Sequence, residues 1–315
     1  MPLIRLILLL AMLAGSASLH ADKAVVDSAS GSVTPTQTAS HKKEAAHGLT
    51  PHAVPLVKVG PLIITNSMVV CWAVALGLIV IAQLATRNIK PVPEGLQNFC
   101  EWIIEGLYDF FAGIVGKHMI GRSFWFFCTI FIFILASNWF GLIPGVGTVG
   151  WGHQGEHGFV IDQPLLRGVN ADLNMTLSMA ALFMVLWIFW AVQSNGVGGV
   201  VGHIFNVKGH GGGVLGVFLV IVFIFVGMIE IVSISVRPVA LTFRLYGNIF
   251  AGENILETVM HMGGTYFGWL AALPFYLLEV LVGLVQALVF ALLTSVFTAL
   301  ICEQHHGAHA EHPKH

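Results

Sequence analysis

The sequence predicts an all-α integral membrane protein with five transmembrane helices, one interfacial amphipathic helix and a long tilted helical hairpin at its C-terminal end. Three observations carry this. The 315 residues are 56% hydrophobic and only 10% charged, against roughly 25% charge in a soluble domain. Mean hydropathy is +0.84. Several apolar runs reach the roughly 20 residues that a helix needs to cross a hydrocarbon core. A net charge of −2 supplies no electrostatic footprint for nucleic acid, so no such partner is expected.

In chain order, residues 1–21 read as a signal peptide. Arg5 starts it, Leu6 to Gly15 is an apolar core too short to span, and small residues allow cleavage after Ala17 or Ala21. An uncleaved anchor is the alternative. Residues 22–57 are rich in Ser, Thr, Ala and His, lack a sustained apolar period, and read as a disordered external tail. The membrane domain covers residues 58–303, and a His-rich cytoplasmic tail covers residues 304–315.

The first span is expected from Pro61 to Leu84, ended by Arg87, Lys90, Pro91 and Pro93. From Glu94 to Val115, Leu96, Phe99, Ile103, Leu107 and Phe111 recur at helical spacing, with Glu94, Glu101, Glu105 and Asp109 on another face. That pattern predicts an interfacial helix rather than a span. The second span runs from Ser123 to Ile143 and stops at Pro144; a glycine-rich loop carrying Trp151, His153, Glu156, His157 and Asp162 follows. The third span is Asn174 to Val192, then a second glycine-rich loop, Gly196 to Gly213. The last pair is Val214 to about Leu256 and about Gly268 to Cys302. At about 1.5 Å per residue, the first of these is about 64 Å long, roughly twice a hydrocarbon core, so it must tilt, bend or protrude. Pro238 allows a kink near its middle.

Basic residues set the orientation. With the tail outside, the internal stretches hold Arg87, Lys90, Lys117, Arg122 and Lys208, whereas the external loops hold only Arg167. This predicts a mature N-terminus outside and a C-terminus in the cytoplasm.

The last pair carries the chemistry. Arg244 lies in an apolar segment, where a guanidinium stays protonated and costs about 2.5–3.5 kcal/mol near the bilayer centre on insertion scales. Glu230, Arg237 and Arg244 are spaced by seven, so they share a helix face if Pro238 leaves the helix unbroken. Asn248 is one turn beyond Arg244, and Glu253 falls on the opposite side. Glu279 and Gln286 share a face of the last helix. Arg237 and Glu230 either brace the bundle as an ion pair or take part in transport. Arg244 has no acid one turn away, so its partner must come from another element or another chain.

The run RPVALTFRLYGNIFAGENIL, Arg237 to Leu256, resembles the signature region of subunit a of the F-type ATP synthase, bacterial type. NWFGLIPG (Asn138 to Gly145), ADLNMTLSMA (Ala171 to Ala180) and Gln286 in LVQALVF are similar to further motifs of that family, and the resemblance covers Pro61 to Glu303. It implies two offset proton half-channels and a rotating c-ring whose carboxylates pass Arg244. It also implies a stator subunit b, the remaining ATP synthase complex and the lipid bilayer as partners. No cofactor is implied, and ATP chemistry belongs to other subunits. Arg244 then corresponds to the essential arginine, and Gln286 to a glutamine packed near it. Asn248, Glu253 and Glu230 match positions associated with proton access, and Glu279 falls where members vary among ionisable residues.

Two other classes compete. A stand-alone channel or cation/proton antiporter would need a whole pathway in one chain, usually with internal repeats, and none is visible. A membrane metalloenzyme is suggested by fifteen histidines, but most lie in tails or loops. The terminal cluster His305, His306, His309, His312 and His315 reads as a solvated tail or a Ni or Zn binder. No span holds a His pair at ligand spacing, and the four cysteines are scattered, so no catalytic metal is expected.

Overall fold

The structure is a computed structural model and describes residues 55–59, 62–143, 146, 150–155, 158–205 and 214–303. The signal peptide, the tail up to residue 54, Glu156, His157, the loop 206–213 and the terminal histidines lie outside the described residues.

Two short strands, β1 (Pro55–Val59) and β2 (Leu62–Thr65), pair antiparallel and lead into helix α1 (Asn66–Thr86). Helix α2 (Leu96–Val115) and helix α3 (Lys117–Gly141) follow, separated by Gly116 at φ +83°, a conformation glycine adopts without penalty. A second hairpin, β3 (Gly150–Gly155) with β4 (Gly158–Pro164), precedes a single 3-10 turn at Val169–Ala171. Helices α4 (Leu173–Phe205), α5 (Val214–Met262) and α6 (Gly264–Glu303) complete the chain. Among the described residues, five helices are long and apolar enough to cross a membrane: α1, α3, α4, α5 and α6. Helix α2 is the interfacial one. It starts at Leu96 rather than Glu94, buries Gln97, Phe111 and Val115, and leaves Glu105 and Asp109 exposed.

Several boundaries differ from expectation. Helix α3 starts at Lys117 rather than Ser123, and α5 and α6 meet at Met262 and Gly264 rather than near Leu256 and Gly268. Residues 62–65 belong to a hairpin, so the first helix starts at Asn66 rather than Pro61; β-branched Ile63, Ile64 and Thr65 favour the strand. The stretch read as external tail ends in strand β1 from Pro55. Gly150–Gly155 and Gly158–Pro164 pair as strands where a loop was expected. At Gly196 (φ +69°, ψ 163°) the first helical stretch of α4 does end, in a kink, but a second stretch runs on to Phe205 where a loop was expected.

Helix α3 is central. Its Phe126, Phe127, Ile130, Phe133 and Ile134 are fully buried. Phe126 stacks on Phe183 of α4 with ring centroids 6.3 Å apart, and Trp190 of α4 packs edge-on against Phe126 at 5.7 Å. In lipid, helices gain little from apolar burial alone, so close packing and interhelical hydrogen bonds do more of the holding. Four side-chain donors reach backbone carbonyls of α6. Asn138 Nδ2 donates to Gly283 O at 2.9 Å and Trp139 Nε1 to Val280 O at 3.2 Å. Trp187 Nε1 donates to Phe297 O at 3.0 Å and Asn195 Nδ2 to Ile301 O at 2.8 Å. Helix α6 is thus pinned to α3 near its middle and to α4 near its C-terminal end.

The Asn138 tie also sits at a close glycine contact. A Cβ at Gly283 would lie 3.1 Å from the Asn138 Cβ, so a larger residue there would have to push the neighbour back by a few tenths of an ångström. The Asn138 carbonyl also accepts a 2.6 Å bond from Asn170 Nδ2. Asn138→Leu leaves the buried Asn170 amide without that acceptor, a cost of about 1–3 kcal/mol. The expected result is a lower midpoint of thermal unfolding in detergent; an unchanged midpoint rejects this role.

Helix α5 is unbroken through Pro238, and Thr242 Oγ1 donates to Pro238 O at 2.8 Å. At about 1.5 Å per residue it is about 74 Å long. It turns Leu241, Thr242, Leu245 and Ile249 inward and leaves Phe218, Phe225, Ile229, Val232 and Phe243 uncovered by the rest of the chain.

Candidate functional site: a charged stripe and a carboxyl pocket on helix α5

The polar residues of α5 separate onto two sides, as the helical spacing requires. The first side is open. Arg244 is exposed on the surface of the chain, and among the described residues no acid lies within ion-pair distance of it. One turn further on, Asn248 Nδ2 donates to Gln286 Oε1 of α6 at 2.9 Å. Gln286 is itself buried. Gln286 therefore fixes Asn248 beside Arg244 and ties α5 to α6 next to the arginine.

Two turns before Arg244, Arg237 pairs with Glu230 at 3.3 Å, and its guanidinium sits 4.6 Å from the centre of the Phe297 ring. Of the two readings of this pair, the structure shows the ion pair. A cation held over an aromatic face and next to a carboxylate clamps α5 to α6.

The second side faces inward and holds a pocket of carboxyls. Glu253 lies against the segment joining β4 to α4: a Cβ at Gly168 would collide with Glu253 Oε1, and one at Gly141 would lie 3.7 Å from the same oxygen. The Glu279 carboxylate of α6 sits over Gly252, where a Cβ would collide with it. Glycine at 168 and 252 therefore makes the space that these two side chains occupy. Glu279 is buried, and Glu253 Oε2, Glu257 Oε2 and Glu279 Oε1 are buried oxygens without a hydrogen bond. Buried polar groups are otherwise nearly always paired, so a cluster of three such oxygens marks a place built for something other than stability.

Arg167 borders this pocket. It is buried, donates through Nη2 to Ala171 O at 3.3 Å, and acts electrostatically on Glu253, as do Glu279 and Glu257. Asp172 continues the polar band: Oδ2 accepts from Ser67 Oγ of α1 at 2.6 Å, and Oδ1 accepts from the backbone N–H of Asn174 at 3.0 Å, capping α4. Among the described residues no group of three or more His, Cys, Asp and Glu is arranged to hold a metal ion.

The expected site residues thus fall into three places: Arg244, Asn248 and Gln286 together; Glu230 with Arg237; Glu253 with Glu279. Sequence reasoning missed Arg167, Gly168 and Glu257. Arg167 counted only as a loop charge, although it lies just before the motif that contains Asp172. Glu257 is four residues after Glu253 and hence on the same face, a spacing that could have flagged it.

Comparison with known proteins bears on this arrangement directly. A family profile described as ATP synthase A chain matches residues 68–299. ATP synthase subunit a of Desulfotalea psychrophila is 32% identical over 242 residues, covering 76% of this chain and 85% of the relative. That of Trichlorobacter lovleyi is 31% identical, covering 76% and 89%. The chloroplastic subunit a of Oedogonium cardiacum is 29% identical, covering 76% and 83%. The matched region contains the open arginine stripe and the carboxyl pocket, and it reaches into all five spanning helices. The chain belongs to the ATP synthase A chain family.

Proposed function

We propose that this multi-pass membrane protein is the proton-conducting stator subunit of a bacterial ATP synthase, and that it supplies two offset half-channels which exchange protons with a rotating ring of c subunits. The carrying observation is Arg244: a permanent cation on a face of α5 with no acid of its own chain in reach. Its partner comes from outside, and a passing ring carboxylate supplies one. The uncovered length of α5 offers a long oblique surface for that ring.

A proton from the outside reaches the pocket of Glu253 and Glu279 and passes to a ring carboxylate. The neutral carboxyl rotates through lipid, where an ionised one is costly. It returns to Arg244 from the other side, and the guanidinium field favours the ionised form, so the proton leaves to the cytoplasm. Arg244 also repels protons that would cross directly between the half-channels, and Gln286 holds Asn248 beside it. The driving force is about 2.3 kcal/mol per charge per 100 mV, plus any pH gradient. The chain itself carries out no ATP chemistry. The N-terminus lies outside and the C-terminus in the cytoplasm, with subunit b as a further stator neighbour.

Purification of the assembled complex tests the reading. A cysteine at Phe243, exposed beside Arg244, is expected to crosslink to the c-ring. Ion flux from the purified chain alone, with no ring attached, favours a stand-alone channel and rejects the proposal.

A further inference from the structure

Glu257 belongs neither to the arginine stripe nor to the two carboxylates matched by family motifs, yet it lies in the same pocket. It is one helical turn beyond Glu253 toward the end of α5, on the same face. Its Oε2 is buried and without a hydrogen bond, and its charge acts on Glu253. Across from it, Glu279 is buried at 6% exposure, its Oε1 is equally unpartnered, and its carboxylate lies over Gly252. The groups around the pocket come from three elements: Glu253 and Tyr246 on α5, Glu279 on α6, and Arg167 with Asp172 on the segment before α4.

Glu257 is half-buried, but a carboxylate oxygen buried with no hydrogen bond is costly in a purely structural role. Three carboxyls in sequence, each with such an oxygen and beside one buried arginine, line instead a path along which a proton can pass from one to the next. Glu257 is the member nearest the helix end that carries the short turn into α6, and that end also bears the two hairpins.

We propose that Glu257 is an outer relay carboxyl of the external half-channel, taking protons from bulk water and handing them to Glu253. The proposal rests on the half-channel reading above. The step is balanced: water-borne H⁺ binds the Glu257 carboxylate, the resulting carboxyl gives that proton to the Glu253 carboxylate, and Glu257 returns to its ionised form. Proton uptake limits the rate when external protons are scarce, so the effect of losing Glu257 grows as the external pH rises.

The test uses the whole ATP synthase in membrane vesicles, with rates normalised to assembled complex. Glu257→Gln keeps the shape but cannot exchange a proton; Glu257→Asp keeps the acid. The expected result is a several-fold loss of proton-driven ATP synthesis in Glu257→Gln that widens with rising external pH, and near-normal rates in Glu257→Asp. Wild-type rates and pH dependence in Glu257→Gln, alongside a loss in Glu253→Gln, overturn the relay and leave the half-channel reading standing. Wild-type behaviour in both Gln variants overturns both. A loss in Glu257→Gln that is the same at every external pH marks a packing defect and also overturns the relay.

Discussion

Arg244→Ala is expected to abolish proton-driven ATP synthesis while the catalytic sector, once detached, continues to hydrolyse ATP. The chain still folds, because Arg244 makes no ion pair among the described residues and points away from the bundle core. What disappears is a field. An opposite charge within about 4–6 Å lowers a carboxyl pKa by roughly 1–3 units, equivalent to about 10- to 1000-fold in the ionised fraction. Without it, a ring carboxyl arriving at the cytoplasmic half-channel keeps its proton, and the rotor loses its direction. The barrier to direct leakage between half-channels goes with it. Arg244→Lys keeps a charge, but an ammonium can lose its proton in an apolar site, whereas a guanidinium cannot. Lysine is therefore expected to restore at most a small part of the rate. The measurement is ATP synthesis driven by an imposed proton gradient in vesicles of each variant. Full coupled synthesis in Arg244→Ala would falsify the mechanism.

How much of this was legible in the sequence depended on whether the information is periodic or spatial. Helix-periodic features survived intact. Arg244 and Asn248 on one side and Glu253 on the other follow from 100° per residue, and the structure keeps them so because α5 stays helical through all three. The Arg237–Glu230 pair was legible for the same reason, although sequence alone left its role open between bracing and transport. The five spans followed from hydropathy, but their ends did not. The start of α1 is set by a hairpin that pairs residues 55–59 with 62–65, and strand pairing is decided by contacts a hydropathy window does not see. Glycine misled in one place and was under-read in another. Gly196 reads as the start of a loop; the first helical stretch does end there, but a second one runs on to Phe205. Nothing marks Gly168 in the sequence, and Gly252 suggests only the close approach of another backbone, yet each clears room for a carboxylate from another element. Such a role is invisible in sequence, because nothing local says which side chain will arrive. The motif asparagine Asn138 likewise shows its purpose only once Gly283, in a helix far along the chain, lies beneath it.

Those two glycines carry the second large expected effect. In Gly252→Ala, the new methyl group collides with the Glu279 carboxylate; in Gly168→Ala, it collides with Glu253 Oε1. In both cases the first atom met is the end of a flexible side chain rather than backbone. The carboxylate therefore moves aside and the helices stay where they are, so the change in stability is small. Replacing glycine by alanine inside α5 even favours the helix, by roughly 1 kcal/mol. Proton transfer is less forgiving than packing. A displacement of about 1 Å from working geometry can cost about 100-fold in rate. The expected outcome is thus a dissociation between two readouts. The complex assembles and its thermal midpoint is unchanged or slightly raised, while proton-driven ATP synthesis falls by about 10- to 100-fold. The reverse pattern, normal synthesis with a destabilised chain, would show that the glycines serve helix packing only. The double variant Gly252→Ala with Glu279→Asp sharpens the distinction. Shortening the acid by one methylene makes room for the added methyl, so part of the lost rate returns if carboxylate placement is the cause, and none returns if α5 itself has shifted.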